Sequence, residues 1–239
     1  MPNYVKNRLV INGTPEQVKE VFDKFNTHIP AKLHTSYTGS VICKEIDNSN
    51  YNVGWFNLKT GMFERRNAEP VLGLPDGWEF EIQQPIDHFP DFNKVKPQPE
   101  NIFNGDLGRE EEEMCKREGR PTWYDWNREN WGTKWNCSEC KQESHNTFVF
   151  TTAWQGVPNL ILEISKAFPE LQFEYEFADE DTGSNCASFV VLGGDLTDSY
   201  FPESGTKEAY ELSFKLRPNI AEEYNLVDGN YEYIDSDED

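Results

Sequence analysis

The stretch from Phe148 to Leu192 constrains this chain more than any other. Phe148, Phe150, Thr152 and Trp154 alternate with Val149, Thr151 and Ala153, which is the period of a strand. Pro158 suits the first position of a helix, and Leu160, Ile161, Ile164 and Phe168 recur along one helical face. Phe168-Pro169 closes that helix, because a residue before proline avoids helical backbone. Leu171, Phe173, Tyr175 and Phe177 then alternate with Gln172, Glu174 and Glu176, which predicts a strand with one buried and one wet face. Asp179 to Asn185 supplies a turn, and Ala187 to Leu192 returns as a further strand.

A matching strand–helix unit opens the chain. Val5 to Asn12 reads as a strand stopped by Gly13. Thr14-Pro15-Glu16-Gln17 is a capping box with proline at the first helical turn, and Val18, Val21, Phe22 and Phe25 make one apolar face. The order is strand–helix, a long interruption, then strand–helix–strand–strand. This predicts an α+β fold: a ferredoxin-like antiparallel sheet with two helices on one face, interrupted by a long loop-rich and helical insertion. The expected boundaries are 1–26 with 147–217 for the ferredoxin-like domain, 27–146 for the insertion, and 218–239 for an acidic C-terminal tail. Tyr210, Leu212, Phe214 and Leu216 alternate with Glu211, Ser213 and Lys215 and predict one more strand, with Gly193-Gly194 as a break before it. Asp235 to Asp239 is too charged to pack and is expected to be disordered.

Within the interruption, Pro70, Pro75, Pro85, Pro90, Pro97 and Pro99 mark a loop-rich stretch. Arg109 to Glu118 reads as a charged helix supported by Glu112–Lys116 and Glu113–Arg117 pairs and stopped by Gly119. Thr122 caps a short helix from Trp123 to Trp131, with Trp123, Trp126, Asn127, Asn130 and Trp131 on one side.

Charge narrows the partners. Residues 144–239 carry twenty Asp/Glu and four Lys/Arg, a net of −16 within a chain total of −21. Such a surface repels phosphate backbones and favours a basic protein partner over nucleic acid. No run approaches the ~18 apolar residues of a membrane helix, and the N-terminus lacks the apolar core of a signal peptide, so a cytoplasmic protein is expected. Five cysteines at irregular spacing, Cys43, Cys115, Cys137, Cys140 and Cys186, do not form a secreted disulfide framework.

The segment Trp123-Tyr124-Asp125-Trp126-Asn127-Arg128-Glu129-Asn130-Trp131-Gly132-Thr133-Lys134-Trp135 is distinctive. It resembles the signature of the YubB-like family, in which a ferredoxin-like domain carries a helical central insertion. The start, Met1 to Tyr4 with Asn7-Arg8-Leu9, is similar to that family's opening. Phe150 to Trp154 followed by Pro158 resembles its strand–helix junction, and Ser165 to Pro169 its helix end. The family is found on mobile genetic elements. The resemblance implies the fold and gives no activity.

Candidate sites follow from these segments. Trp123, Trp126, Asn127, Asn130, Trp131 and Lys134 form the candidate binding set, as an aromatic pocket or stacking surface. The competing structural reading is that the segment plugs the sheet face left open by the two helices, since aromatic stripes are usually core. Cys137-Ser138-Glu139-Cys140 has a zinc-like spacing, and His145 lies close by in sequence. No second CxxC exists and the remaining cysteines are scattered, so no metal and no cofactor are expected. His28, His34, His88 and His145 form no catalytic spacing, Glu110 to Glu113 reads as a solvated helix face, and no catalytic residue is assigned. The expected function is a non-enzymatic interaction protein of a mobile genetic element, an acidic modulator of a host or defence protein. The alternatives are a nucleic-acid-binding module displaying Phe148, Phe150 and Phe173 on its sheet, and an enzyme built on the Trp123–Lys134 region.

Overall fold

The computed structural model describes residues 3–234 apart from short stretches between 30 and 85, with side chains for 3–28 and 88–234. The expected disorder of Asp235–Asp239, His34 and the side chain of Cys43 fall outside the described residues. The chain divides into two compact units, Met1–Thr27 with Asp87–Asp239, and His28–Ile86.

In the first unit, β1 (Tyr4–Asn12) leads into α1 (Pro15–Phe25). The predicted capping box is present: the Thr14 hydroxyl accepts from the Gln17 amide, and Gln17 Oε1 accepts from the Thr14 amide at 2.9 Å. After the second unit come α2 (Phe92–Val95), α3 (Arg109–Glu118) and α4 (Trp123–Asn130). The chain then forms β2 (Ser138–Ser144), β3 (Thr147–Ala153), α5 (Pro158–Ala167), β4 (Gln172–Asp179), β5 (Cys186–Leu192) and β6 (Asp195–Tyr200). One sheet runs β2-β3-β1-β4-β5-β6, antiparallel throughout. The first four strands have ferredoxin-like topology. The connection β1–α1–β2 passes over β3, and β3–α5–β4 passes over β1. Strands β5 and β6 extend the sheet at one side.

The strand β2 lies inside the stretch read from the sequence as insertion, as do α2, α3 and α4, and all of them belong to the first unit. His28–Ile86 forms the second unit by itself, with a five-stranded antiparallel sheet in the order Pro70–Val71, Met62–Arg65, Asn48–Asn57, Val41–Glu45, Trp78–Phe80.

The core lies on one side of the main sheet. Leu9 and Ile11 of β1, Phe148 and Phe150 of β3, Phe173 and Tyr175 of β4, and Phe189 of β5 point toward α1 and α5, where Val18, Val21, Leu160, Ile161 and Ile164 meet them. Two expectations are corrected here. Phe148, Phe150 and Phe173 are buried under the helices and are not displayed on the open face, which removes the stacking surface of the nucleic-acid reading. The Trp segment also joins this same side. Trp131 meets Phe92, which meets Phe150, with ring centroids 5.9 Å and 6.2 Å apart. It therefore widens the helix-covered core and does not plug the opposite face.

That opposite face is covered in part by α6 (Lys207–Leu216), where a strand was expected. Residues 207–216 satisfy both periods, since Ala209, Leu212, Ser213 and Leu216 also repeat at helical spacing. The cap at Thr206, whose hydroxyl accepts from the Ala209 amide, favours the helix. Ala209, Leu212 and Leu216 pack on Ala178 and Cys186. Elsewhere this face is ionic: Arg8 pairs with Glu176 at 3.2 Å, and Lys215 reaches the same carboxylate. Thr206→Ala is expected to lower stability by about 1 kcal/mol, read by chemical denaturation. A null effect there would mean that sheet packing alone sets the helix.

Gly193-Gly194 does not end the sheet. Both residues have positive φ, 62° and 82°, and form the two-residue turn of the β5–β6 hairpin, with Leu192 opposite Asp195. The described part of the expected tail is ordered as well. Pro218–Glu223 is a 3-10 turn, and β7 (Tyr224–Val227) pairs with β8 (Asn230–Tyr233). Tyr224 and Tyr231 lie on the outer aromatic face of α6, each within 5.8 Å of the Tyr210 ring.

Candidate functional site

The extension of the sheet beyond α5 creates the first candidate. Strands β5 and β6 carry an apolar surface past the cover of the helix. A groove of about 250 Å³ lies there, lined by Ile161, Leu162, Phe177, Phe189, Leu196 and Phe201 among others. Phe201 stands edge-on to Phe189 at 5.1 Å and is 66% exposed, and Leu196 is 49% exposed. Strand β6 is the last of the sheet, and no described strand pairs with its outer edge. This edge is six residues long, carries one register shift, opposite Val190/Val191, and sets Leu196 beside Asp195 and Asp198; an open edge with exposed apolar side chains is a template for strand addition. The other edge, β2, is blunted: its ladder is broken by two register shifts, and it offers charged and small polar residues to solvent.

The floor of the groove is held by a buried polar network. Tyr175 Oη donates to Asn7 Oδ1 at 2.5 Å and accepts from the Val157 amide at 2.6 Å. Asn7 Nδ2 donates to Val5 O and Thr152 Oγ1, both at 2.9 Å. This network ties the start of α5 to β1 and β4. Burial pushes the Tyr175 phenol well above its ordinary pKa, so it stays protonated as a donor. Gly156 is needed here because a Cβ would come within 2.3 Å of the Phe177 ring.

The six residues singled out in the Trp segment separate by role. Trp131 is buried, with Nε1 donating to Lys96 O at 2.9 Å, and Trp126 packs half-buried beside it. Asn127 is buried and donates to Lys134 O at 2.9 Å while accepting from Gln98 Nε2 at 2.6 Å. Asn130 donates to Trp126 O, and Trp123 Nε1 to Gly105 O. These contacts are internal. Lys134 lies over Trp135, Trp154 and Tyr124, at 4.2, 5.5 and 5.8 Å from the ring centroids, and Arg128 lies over Tyr124 at 5.1 Å. The segment is chiefly a structural element with a cation–aromatic rim.

The third candidate joins residues distant in sequence. In a regular strand, residues three apart face opposite sides. A register shift between Ser138 and Lys141, with Glu139 at φ 51°, turns Cys137 and Cys140 to one side, and their sulfurs lie 3.2 Å apart. His88, at the end of the strand Ile86–His88, completes a group whose ligand atoms all lie within 4.8 Å of one another. His145, the neighbour suggested by sequence, is exposed in the β2–β3 turn. The hydrogen bond between the two sulfurs raises the Cys137 thiol and lowers that of Cys140, and the Cys137 thiol also lies 3.1 Å from its acceptor Pro90 O. Burial adds to the rise at Cys137.

Sequence reasoning missed Leu196, Tyr200 and Phe201 because Asp195 and Asp198 lower the strand propensity of β6 and Leu196 is its only aliphatic residue. The signal that finds it is the Gly193-Gly194 hairpin turn. His88 had no local signal at all.

These features define an acidic, ferredoxin-like α+β protein with an extended sheet. A family model described as a ferredoxin-like domain in Api92-like protein matches residues 130–217. Among solved structures, the chain is similar to protein api92 from Yersinia pseudotuberculosis, at 16% identity over 36% of this chain and 32% of that chain, with a TM-score of 0.29. The match thus spans about a third of that protein's length. No curated protein matches the chain by sequence. No helix among the described residues is long and apolar enough to cross a membrane.

Proposed function

We propose that this chain is a protein-interaction module that takes an extended, basic segment of a partner along the outer edge of β6. The partner's alternate apolar side chains enter the groove beside α5, and its cations face the acidic surroundings. The observation that carries the reading is the coincidence of an apolar groove with an edge that no described strand pairs, both within residues 144–239, whose net charge is −16. Asp195 and Asp198 lie on the edge strand itself, and Glu203 follows it. Main-chain hydrogen bonds provide the affinity of such an arrangement, and alternate side-chain pockets its selectivity. Nucleic acid is disfavoured, because release of phosphate counterions requires Lys or Arg at the surface. The resemblance to the YubB-like family supports a setting on a mobile genetic element, with a cytosolic host or defence protein as the partner.

The test is an anisotropy titration at low salt with labelled decapeptides of alternating Lys–Val and Glu–Val, and with single- and double-stranded DNA and RNA. The Lys–Val peptide should bind and weaken as salt screens charge over about 10 Å at 0.1 M. Leu196→Ser with Phe201→Ser should weaken it by about a hundredfold or more, since each removes an apolar contact worth roughly 1.5–3 kcal/mol and about 1.4 kcal/mol is tenfold. Equal binding of the Glu–Val peptide, or tighter binding of nucleic acid, would contradict the proposal.

A further inference from the structure

The strongest feature outside the groove is the cluster at the bulge of β2. We infer that His88, Cys137 and Cys140 form a binding site for a thiophilic divalent cation, zinc being the ion they fit best. Two thiolates and one imidazole are the donors zinc prefers, and three protein ligands leave a fourth tetrahedral position for water or an exogenous ligand. With zinc–sulfur bonds of about 2.3 Å, two coordinating sulfurs sit about 3.8 Å apart. The sulfurs here are 3.2 Å apart and the three ligand atoms lie within 4.8 Å, so closing around an ion requires only small shifts.

The surroundings are built to hold this geometry. Asn136 fixes the loop before Cys137: its Oδ1 accepts from the amides of Phe92 and Cys137, both at 2.9 Å. Its Nδ2 donates to Asp91 at 2.7 Å, and Asp91 also accepts from the Asn93 amide at 3.0 Å and from Thr27 Oγ1 at 2.5 Å. Asp91 is buried beside both sulfurs and supplies a further negative charge. Its charge raises both thiols in the absence of an ion, and it attracts a cation placed between the sulfurs. Cys137 is buried while His88 and Cys140 are half-buried, which gives an ion a way in. The other described cysteines, Cys115 and Cys186, do not take part in this group. The expectation of no metal rested on the lack of ligands near the CxxC pair. The fold brings the third from His88, at the other side of the intervening helices.

The test uses the full chain without a histidine tag, purified without chelator. Elemental analysis should find about one zinc per chain. After removal of zinc, cobalt(II) alone should restore a thiolate charge-transfer band with tetrahedral ligand-field bands. X-ray absorption on the zinc form should show two sulfurs at about 2.3 Å and a nitrogen at about 2.0–2.1 Å. His88→Ala and Cys140→Ser should lose the cobalt spectrum while keeping their circular dichroism, and His145→Ala should keep both. The half-buried positions are chosen because Cys137→Ser is more disruptive to folding. Zinc at background level with no cobalt band, a Cys137–Cys140 disulfide in place of the metal, or an unchanged cobalt spectrum in His88→Ala would each overturn the inference.

Discussion

Trp131→Ala is expected to lower the unfolding free energy by about 3–5 kcal/mol, the range for truncating a large buried aromatic. Trp131 is 4% exposed, meets Phe92 and Trp126 edge-on at 5.9 and 5.6 Å, and donates its indole proton to Lys96 O. Truncation leaves a cavity and an orphaned carbonyl together. Trp135→Ala, at a position 41% exposed, should change stability by less than about 1 kcal/mol. Urea unfolding of both variants separates the two roles within one segment. A neutral Trp131→Ala would mean that the segment is not core, and a binding platform would become the better reading of its tryptophans.

Removal of the hydroxyl in Tyr175→Phe is expected to cost about 1–3 kcal/mol for each group left without a partner. Two such groups arise, the Val157 amide and Asn7 Oδ1. Asn7→Ala should cost at least as much, because Tyr175 Oη and the groups served by Asn7 Nδ2 then lose their partner. The two residues act as one network, so the double variant should cost less than the sum of the single ones. Additivity in a double-mutant cycle would show that the two side chains work independently. The network also sets the start of α5, so Tyr175→Phe should weaken peptide binding at the groove more than its distance from solvent suggests.

Much of the main sheet was legible in the sequence. The Thr14–Gln17 box, the Arg109–Glu118 helix and the alternation from Phe173 to Phe177 are each governed by local rules, and they appear where those rules put them. The failures have specific physical causes. The run from Tyr210 to Leu216 satisfies two periods, and only the Thr206 cap and the small residues Ala209 and Ser213 decide for a helix. One hairpin is missed by reading Gly193-Gly194 as a stop, and a second by reading 218–239 as an acidic tail. Gly193-Gly194 and Asp228-Gly229 are two-residue turns with positive φ at both positions, and each has a strand on either side. The edge strand β2 was hidden because its residues are nearly all polar, as a solvated, bulged edge allows. The structural reading of the Trp segment holds for Trp131, which is buried, and in part for Trp126, which is half-buried, but on the helix-covered side of the sheet and not the open one. Sequence alone does not say which face an inserted helix meets when both faces have apolar residues. His88 shows the remaining limit, since its approach to Cys137 and Cys140 depends on tertiary closure between segments with no shared local pattern.

The central claim is that the outer edge of β6 is the docking surface, and amide hydrogen exchange with and without the Lys–Val peptide tests it most directly. The account predicts new protection at the amides of Asp195–Tyr200, where strand addition would pair the open edge, and unchanged exchange in β2, the opposite edge of the same sheet. Protection confined to Ser138–Ser144 or to the Trp123–Trp135 segment, with Asp195–Tyr200 unaltered at saturating peptide, would contradict it.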